Sequence, residues 1–244
     1  MTTASPRRPD GAADSASTDA FEDNWRTMFT QHRHLFDLIQ AVIALTAAGD
    51  HPAPVPQLAA ALHRTPDDTR RLIDTTTAGV STWGRIWHDG QHAHLDMAAP
   101  STPRYQYRIG QRTIGVSGCA PDTFLVAQAL DQPLRVQSTC PVTAAPITVD
   151  FSPTGLVEAD PADTVVALID PAATPGTILV ASQQLDPAAV DRDACSQQPF
   201  FASAEASRAW RETHPTGRVL PVADLNAWWR RLRAETTAVP APAS

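Results

Sequence analysis

Cysteine is scarce in this 244-residue chain. Cys119, Cys140 and Cys195 are the only three, and no two are close enough to form a CxxC pair. That excludes a disulfide scaffold, a zinc ribbon and a thioredoxin-like centre, and in a reducing compartment all three stay thiols. Long apolar runs are missing too. The longest, "AVIALTAA" at Ala41–Ala48, contains a threonine and falls far short of the roughly 20 residues a membrane helix needs. The N-terminus "MTTASPRRPDGAADSASTDA" carries an arginine pair with no apolar stretch behind it, so residues 1–21 read as a disordered tail rather than a signal. A soluble, cytoplasmic protein without a membrane partner is the expectation. Positive charge is also in deficit: 19 Lys and Arg stand against 26 Asp and Glu, for a net charge of -7. That disfavours general nucleic-acid or anionic-membrane binding, which rests on neutralising phosphates. Histidine is thin where it would matter. Of eight, only His214 follows Cys119, without a recognisable partner motif, which argues against a cysteine hydrolase.

With 43% hydrophobic residues the chain can bury a proper core. Trp25, Met28, Leu35, Leu38, Ile39, Val42 and Ile43 form a helical stripe closed by Gly49, predicting one amphipathic helix. Two short helices follow in "VPQLAAALHR" and "TPDDTRRLIDTTTAG". In the second, Thr65 is a good N-cap, Pro66 suits the first position, and Asp67 and Asp68 favour the positive end. "WGRIWHDGQHAHLDM" alternates around Asp89-Gly90, a strong hairpin signal. Residues 22–100 therefore read as a winged-helix-like N-terminal domain. Between Pro52 and Met97 four arginines face five aspartates, a formal charge of -1. A DNA reader carries a basic face, so this segment reads as a packing and lid domain with no nucleic-acid partner.

From residue 101 to 234 the pattern changes to short strand-like runs: Tyr105–Ile109, Thr113–Val116, Leu134–Ser138, Ile147–Phe151 and Val165–Ile169. Helices are predicted at Pro121–Leu130, about Ala204–Thr213, and Val222–Arg233. The fold class is α+β: the helical N-terminal domain, then a mainly antiparallel sheet domain flanked by helices. The Pro- and Ala-rich stretch Asp170–Ala194 reads as a surface excursion, and 235–244 as a flexible C-terminal tail.

"VSGCAPDTF" concentrates the chemistry. Pro121 suits the first turn of a helix, so Cys119 sits just outside its N-terminus, where the dipole favours a thiolate. Asp122 lies three residues on and can share its face. The same spacing also suits a capping aspartate beside a small buried hydrophobic cysteine, and spacing alone leaves both readings open.

Three stretches, "GCAPDTFLVAQAL", "VQSTCPVTAAPITVDFSPTGLVEADP" and "ACSQQPFFAS", resemble the organomercurial (alkylmercury) lyases over roughly Gly90–Trp229. The resemblance implies that Cys119 and Asp122 match that family's first catalytic cysteine and its aspartate. Cys195, five residues before Phe200, matches the second cysteine, and Cys140 a third, structural one. A helical N-terminal domain with a winged-helix look belongs to the same architecture. The chain departs in having Gly118 where the family is often aromatic, and Gln197, Gln198 and Pro199 where histidines can precede the Phe-Phe pair; the insertion between Asp170 and Asp193 is also longer than usual. The implied function is protonolysis of a carbon–mercury bond. Cys119 and Cys195 would hold the mercury transiently with Asp122 beside it, Asp122 would shuttle the proton, and a hydrocarbon and Hg(II) would leave. The substrate is then an organomercurial and the Hg(II) passes to other thiols, such as those of a mercuric reductase. No organic cofactor or permanent metal is implied. A metal-responsive winged-helix regulator and a soft-metal-binding protein without lyase activity are the competing readings.

Overall fold

Phe21, Trp25 and Phe29 recur at a four-residue spacing, which stacks them on one face of a helix. That helix is α1 (Gly11–Gln31). The computed structural model describes residues 11–49, 52–77, 85–96, 103–116, 118–173 and 195–238. Helix α2 (Arg33–Ala48) buries Leu35, Leu38, Ile39, Val42 and Ile43, and closes on Gly49 in the left-handed region at φ 110°. The single helix predicted for this stretch is thus two, broken at His32, whose φ of -109° and ψ of 20° leave the helical well. The first begins at Gly11, well inside the segment read as a tail. Its anchor is aromatic and distant in sequence: Phe21 and Trp25 meet Trp228, at 6.2 and 6.1 Å between ring centroids.

Strand β1 (Ala53–Pro54), helices α3 (Val55–Ala61) and α4 (Pro66–Thr77), and strands β2 (Arg85–His88) and β3 (His92–Asp96) follow. The three strands form an antiparallel sheet in the order β1-β3-β2. Thr65 caps α4 as expected, its Oγ1 accepting the Asp68 N–H at 3.1 Å. The hairpin turns where Asp89-Gly90 predicts it. Gly90 takes φ +96°, and Asp89 Oδ1 accepts the backbone N–H groups of Gln91 and His92, both at 2.8 Å.

The larger sheet runs β5-β4-β6-β7-β8, all antiparallel. Its strands are β4 (Tyr105–Ile109), β5 (Arg112–Val116), β6 (Leu134–Thr139), β7 (Pro146–Ser152) and β8 (Gly155–Asp160). A second three-stranded sheet has β9 (Val165–Leu168) between β10 (Phe200–Phe201) and β11 (Arg218–Pro221). The sequence pattern misses β8, which is half exposed, and the short β10 and β11, which exist only by pairing with β9. Helices α5 (Ala120–Ala129), α6 (Arg208–Thr213) and α7 (Val222–Ala238) complete the order. The last extends beyond residue 235, where the tail was expected to start, and α6 begins later than predicted because residues 204–207 form turns. The α+β, mainly antiparallel class holds. Most of the excursion predicted at Asp170–Ala194 lies outside the described residues.

Helix α5 is buried on every side of its first two turns: all residues from Ala120 to Ala127 are shielded, the polar Asp122 and Thr123 among them. Phe124 meets Phe151, Phe200 and Trp229, at centroid distances of 5.4, 6.5 and 6.4 Å. Burying such a ring stabilises by about 2 kcal/mol or more. It also fixes the start of α5 against both sheets.

Candidate active site

Cys119 is the N-cap of α5, in extended backbone at φ -106° and ψ 165°. Pro121 sits in the first turn, where its missing N–H costs nothing. Asp122, the third helical residue, reaches back so that its Oδ2 accepts the Cys119 N–H at 2.7 Å. This is the returning half of a capping box. The carboxylate is buried, with 8% of the residue accessible.

Cys195 arrives from a distant segment. It opens a single 3-10 turn, Cys195–Gln197, and the strand after it is pinned by pairing of Phe200 with Val166 and Phe201 with Val165. The intervening loop is tied down at each residue. Gln197 O accepts Trp210 Nε1–H at 2.7 Å, Gln198 O accepts the Ala120 N–H at 2.9 Å, and Pro199 O accepts the Ala167 N–H at 3.1 Å. The Ala120 bond is the decisive one, because it fastens the second cysteine's loop to the first turn of the helix that the first cysteine caps.

Cys119 and Cys195 consequently touch in a small buried cluster of their own. Both are free thiols. Cys119 packs against Cys195, and its backbone N–H is held by the Asp122 carboxylate. The structure brings the three sequence-predicted residues into one group. It differs from expectation in the charge state of Cys119. A helix N-terminus was expected to favour its thiolate, but burial pushes the thiol well up, reinforced by the hydrogen bond to Cys195 and the negative charge of Asp122. Burial likewise pushes the Asp122 carboxyl up to about 7, against the hydrogen bonds from Cys119 that favour its ionised form. A thiol holding its proton thus faces a carboxyl that titrates near neutrality. Among the described residues no three His, Cys, Asp or Glu side chains converge as a metal cage.

Cys140 lies elsewhere. It is fully buried in the main core, where its backbone N–H donates to Ala145 O at 2.9 Å and its carbonyl accepts the Ala144 N–H at 3.0 Å, closing the turn before β7. Burial raises its thiol, and hydrogen bonds from the Ala202 backbone and from Thr143 outweigh it and bring it below the ordinary value. Cys140→Ala is expected to lower stability by about 1 kcal/mol or more through the cavity it leaves, with turnover per folded molecule unchanged. Urea denaturation beside a cleavage assay checks both halves.

Two tyrosines were not among the predicted site residues. Strand β4 alternates buried and exposed positions, turning Tyr105 and Tyr107 to the same inner face. Tyr105 meets Phe200 edge-on at 5.9 Å. Burial raises both phenols, and the charges of Asp122 and Cys119 raise them further. The Tyr107 hydroxyl is buried and finds no partner among the described residues. The "YQY" alternation signals an inward face; nothing local in it says toward which site. Because a buried unpaired hydroxyl is destabilising, Tyr107→Phe is expected to raise stability by about 1 kcal/mol. A shift of the urea midpoint upward is the readout.

With this geometry in view, likeness to known proteins is informative. The alkylmercury lyase family (MerB) matches residues 99–232. An alkylmercury lyase of Streptomyces lividans is 31% identical over 188 residues, covering 77% of this chain and 77% of that protein. The chain belongs to the alkylmercury lyase family. An alkylmercury lyase of Pseudomonas putida is 32% identical over 104 residues, 43% of each chain, and one of Bacillus cereus is 27% identical over 106 residues, also 43% of each. The crystal structure of the mercury-bound form of MerB2 superposes with a TM-score of 0.53, covering 89% of this chain and 99% of that one at 16% identity. At that identity the superposition speaks for the fold. The family match spans Cys119, Asp122, Cys140 and Cys195 together with both sheets that position them.

Proposed function

We propose that the protein cleaves carbon–mercury bonds by protonolysis at Cys119, Cys195 and Asp122. The observation that carries this reading is the buried juxtaposition of Cys119 with the second thiol, the Asp122 carboxylate being held against the Cys119 backbone at 2.7 Å. Soft thiolates are the preferred ligands of Hg(II), whereas a carboxylate is a hard one, so the two groups divide the work. Cys119 exchanges its proton for RHg(+), forming an S–Hg bond, and Asp122 takes that proton. Cys195 then adds its sulfur to the metal and releases its own proton to solvent with the substrate's original anion. The C–Hg bond breaks with its electron pair remaining on carbon, and Asp122 delivers the stored proton there as general acid. Mercury stays Hg(II) throughout. The products are RH and Hg(II) bridged by two sulfurs, for transfer to other thiols such as those of a mercuric reductase. A carboxyl titrating at about 7 is matched to accepting and returning a proton at neutral pH.

In this reading the chain has two parts, a winged-helix-like domain at 22–100 and a catalytic domain at 101–234, and it works in the cytoplasm in mercury resistance and detoxification. The order β1, α3, α4, β2, β3 supports the winged-helix description, as does Arg70 Nε donating to Gly90 O at 2.8 Å, from α4 to the hairpin tip. No helix among the described residues is long and apolar enough to cross a membrane. The alternative of a metal-responsive regulator needs a basic reading face. On α4, Arg70 pairs with Asp67 at 2.6 Å and Arg71 pairs with Asp68, so both arginines face carboxylates on the same helix. Gel shifts with the DNA upstream of its own gene, at low salt, are expected to show no sequence-dependent binding. The direct test is incubation with an organomercurial and assay of the released hydrocarbon. Capture of mercury with no hydrocarbon would favour sequestration instead.

A further inference from the structure

Gly118 precedes the N-cap cysteine, and φ at this position is not in the left-handed region, so its backbone alone does not require glycine. What requires it is space. A β-carbon at position 118 would fall on Asp122 Oδ2, far inside van der Waals contact, with Asp122 Cγ at 3.4 Å and Cβ at 3.6 Å. These three, all Asp122 side-chain atoms, are the nearest neighbours that a β-carbon would meet. Oδ2 is also the oxygen that accepts the Cys119 N–H at 2.7 Å. In this chain the carboxylate therefore occupies the volume that a β-carbon at 118 would fill, at a position where the resembling family often carries an aromatic side chain.

We infer that Gly118 is a positioning residue for the proposed general acid: the missing side chain is the seat in which the Asp122 carboxylate is held against Cys119. The inference rests on the reading of Asp122 as the proton carrier, and adds what holds it in place. The reasoning is steric. Asp122 is the far end of a short side chain and can rotate away, so Gly118→Ala should fold. Rotation breaks the Oδ2 contact, strands the buried Cys119 N–H, and moves the carboxyl relative to both sulfurs. An ångström of misplacement at a reacting group is enough to cost about 10²-fold in rate. Neither thiol is touched, so capture of the organomercurial should survive.

A double-mutant cycle on the full chain tests this with Gly118→Ala, Asp122→Ala and the pair. Three quantities are measured: the urea midpoint, phenylmercury retained per protein after desalting, and benzene released per minute. Gly118→Ala is expected to lower the midpoint in the wild-type background, and to leave it unchanged or raise it once Asp122→Ala has emptied the seat. Retention should stay at the wild-type level while benzene release falls about 10²-fold. An equal fall in midpoint in both backgrounds overturns the inference, because the clash is then not with Asp122. So does a coupled midpoint with full benzene release by Gly118→Ala when Asp122→Ala is inactive, since position would not matter. Full release by Asp122→Ala itself overturns the proton-carrier reading, and the catalytic half of the inference with it.

Discussion

Cys119→Ser and Cys195→Ser are each expected to abolish carbon–mercury cleavage. Serine keeps the size and hydrogen-bonding capacity of the side chain, so the cap of α5 and the 3-10 turn at Cys195–Gln197 should survive. It removes the soft ligand, and a hydroxyl ionises far too weakly to replace a thiolate on Hg(II). The two losses should differ in kind. Without Cys119 the first S–Hg bond does not form beside Asp122, and RHg(+) capture at the site falls. Without Cys195 the capture step remains, and the organomercurial should stay attached, uncleaved, to Cys119. Mercury retained after desalting, measured beside hydrocarbon release, separates the cases. Cleavage by Cys195→Ser at the wild-type rate would reduce the machinery to one thiol, the carboxylate and solvent.

Asp122→Asn should uncouple binding from chemistry. Both thiols stay, and the amide oxygen can still accept the Cys119 N–H, so capture should persist while cleavage falls at least about 10²-fold, the usual scale for general acid catalysis. The same substitution has a stability signature. Burial raises the Asp122 carboxyl to about 7 in the folded chain, against about 3.9 for an unperturbed aspartate. Between those values the folded state binds the extra proton, so stability falls as pH rises through the window. The accumulated loss above pH 7 is on the order of 4 kcal/mol. Asparagine has no proton to lose. Asp122→Asn should therefore be more stable than wild type at pH 8, and the gap should close toward pH 4. Urea midpoints at the two pH values decide it, and a gap independent of pH would show that the carboxyl titrates normally.

The site was legible in proportion to how local it is. Cys119 and Asp122 lie three apart at the mouth of a helix marked by Pro121, and helical geometry alone puts them together. Cys195 is brought in by the pairing of Phe200 with Val166, two strands distant in sequence, and only the resemblance around "ACSQQPFFAS" pointed to it. The ionisation of Cys119 escapes a local reading for the same reason. The helix terminus is a local feature and argues for a thiolate; the burial that outweighs it comes from the second cysteine's loop and the surrounding sheets. In the fold, β4 and β9 were legible from composition and alternation. Strands β10 and β11 flank β9 with too few residues for any pattern. Helix α1 sets Phe21, Trp25 and Phe29 against Trp228 and Trp229 near the other end of the chain, a partnership no local pattern displays. The Asp89-Gly90 turn needed no such partner and fell where it was expected.

The contact between Cys119 and Cys195 joins points far apart along the chain, and product mercury bridging them would act as a staple. A covalent tie between these residues removes conformations from the unfolded ensemble, as a disulfide does. For such a tie the entropic gain lies between the roughly 3 kcal/mol of a 15-residue loop and the roughly 4.7 kcal/mol of a 100-residue one. The protein would be most resistant to heat just after turnover, with Hg(II) aboard, and would loosen again when an external dithiol strips the ion. Release of product and relaxation of the chain would then be a single event, with melting temperature tracking mercury occupancy.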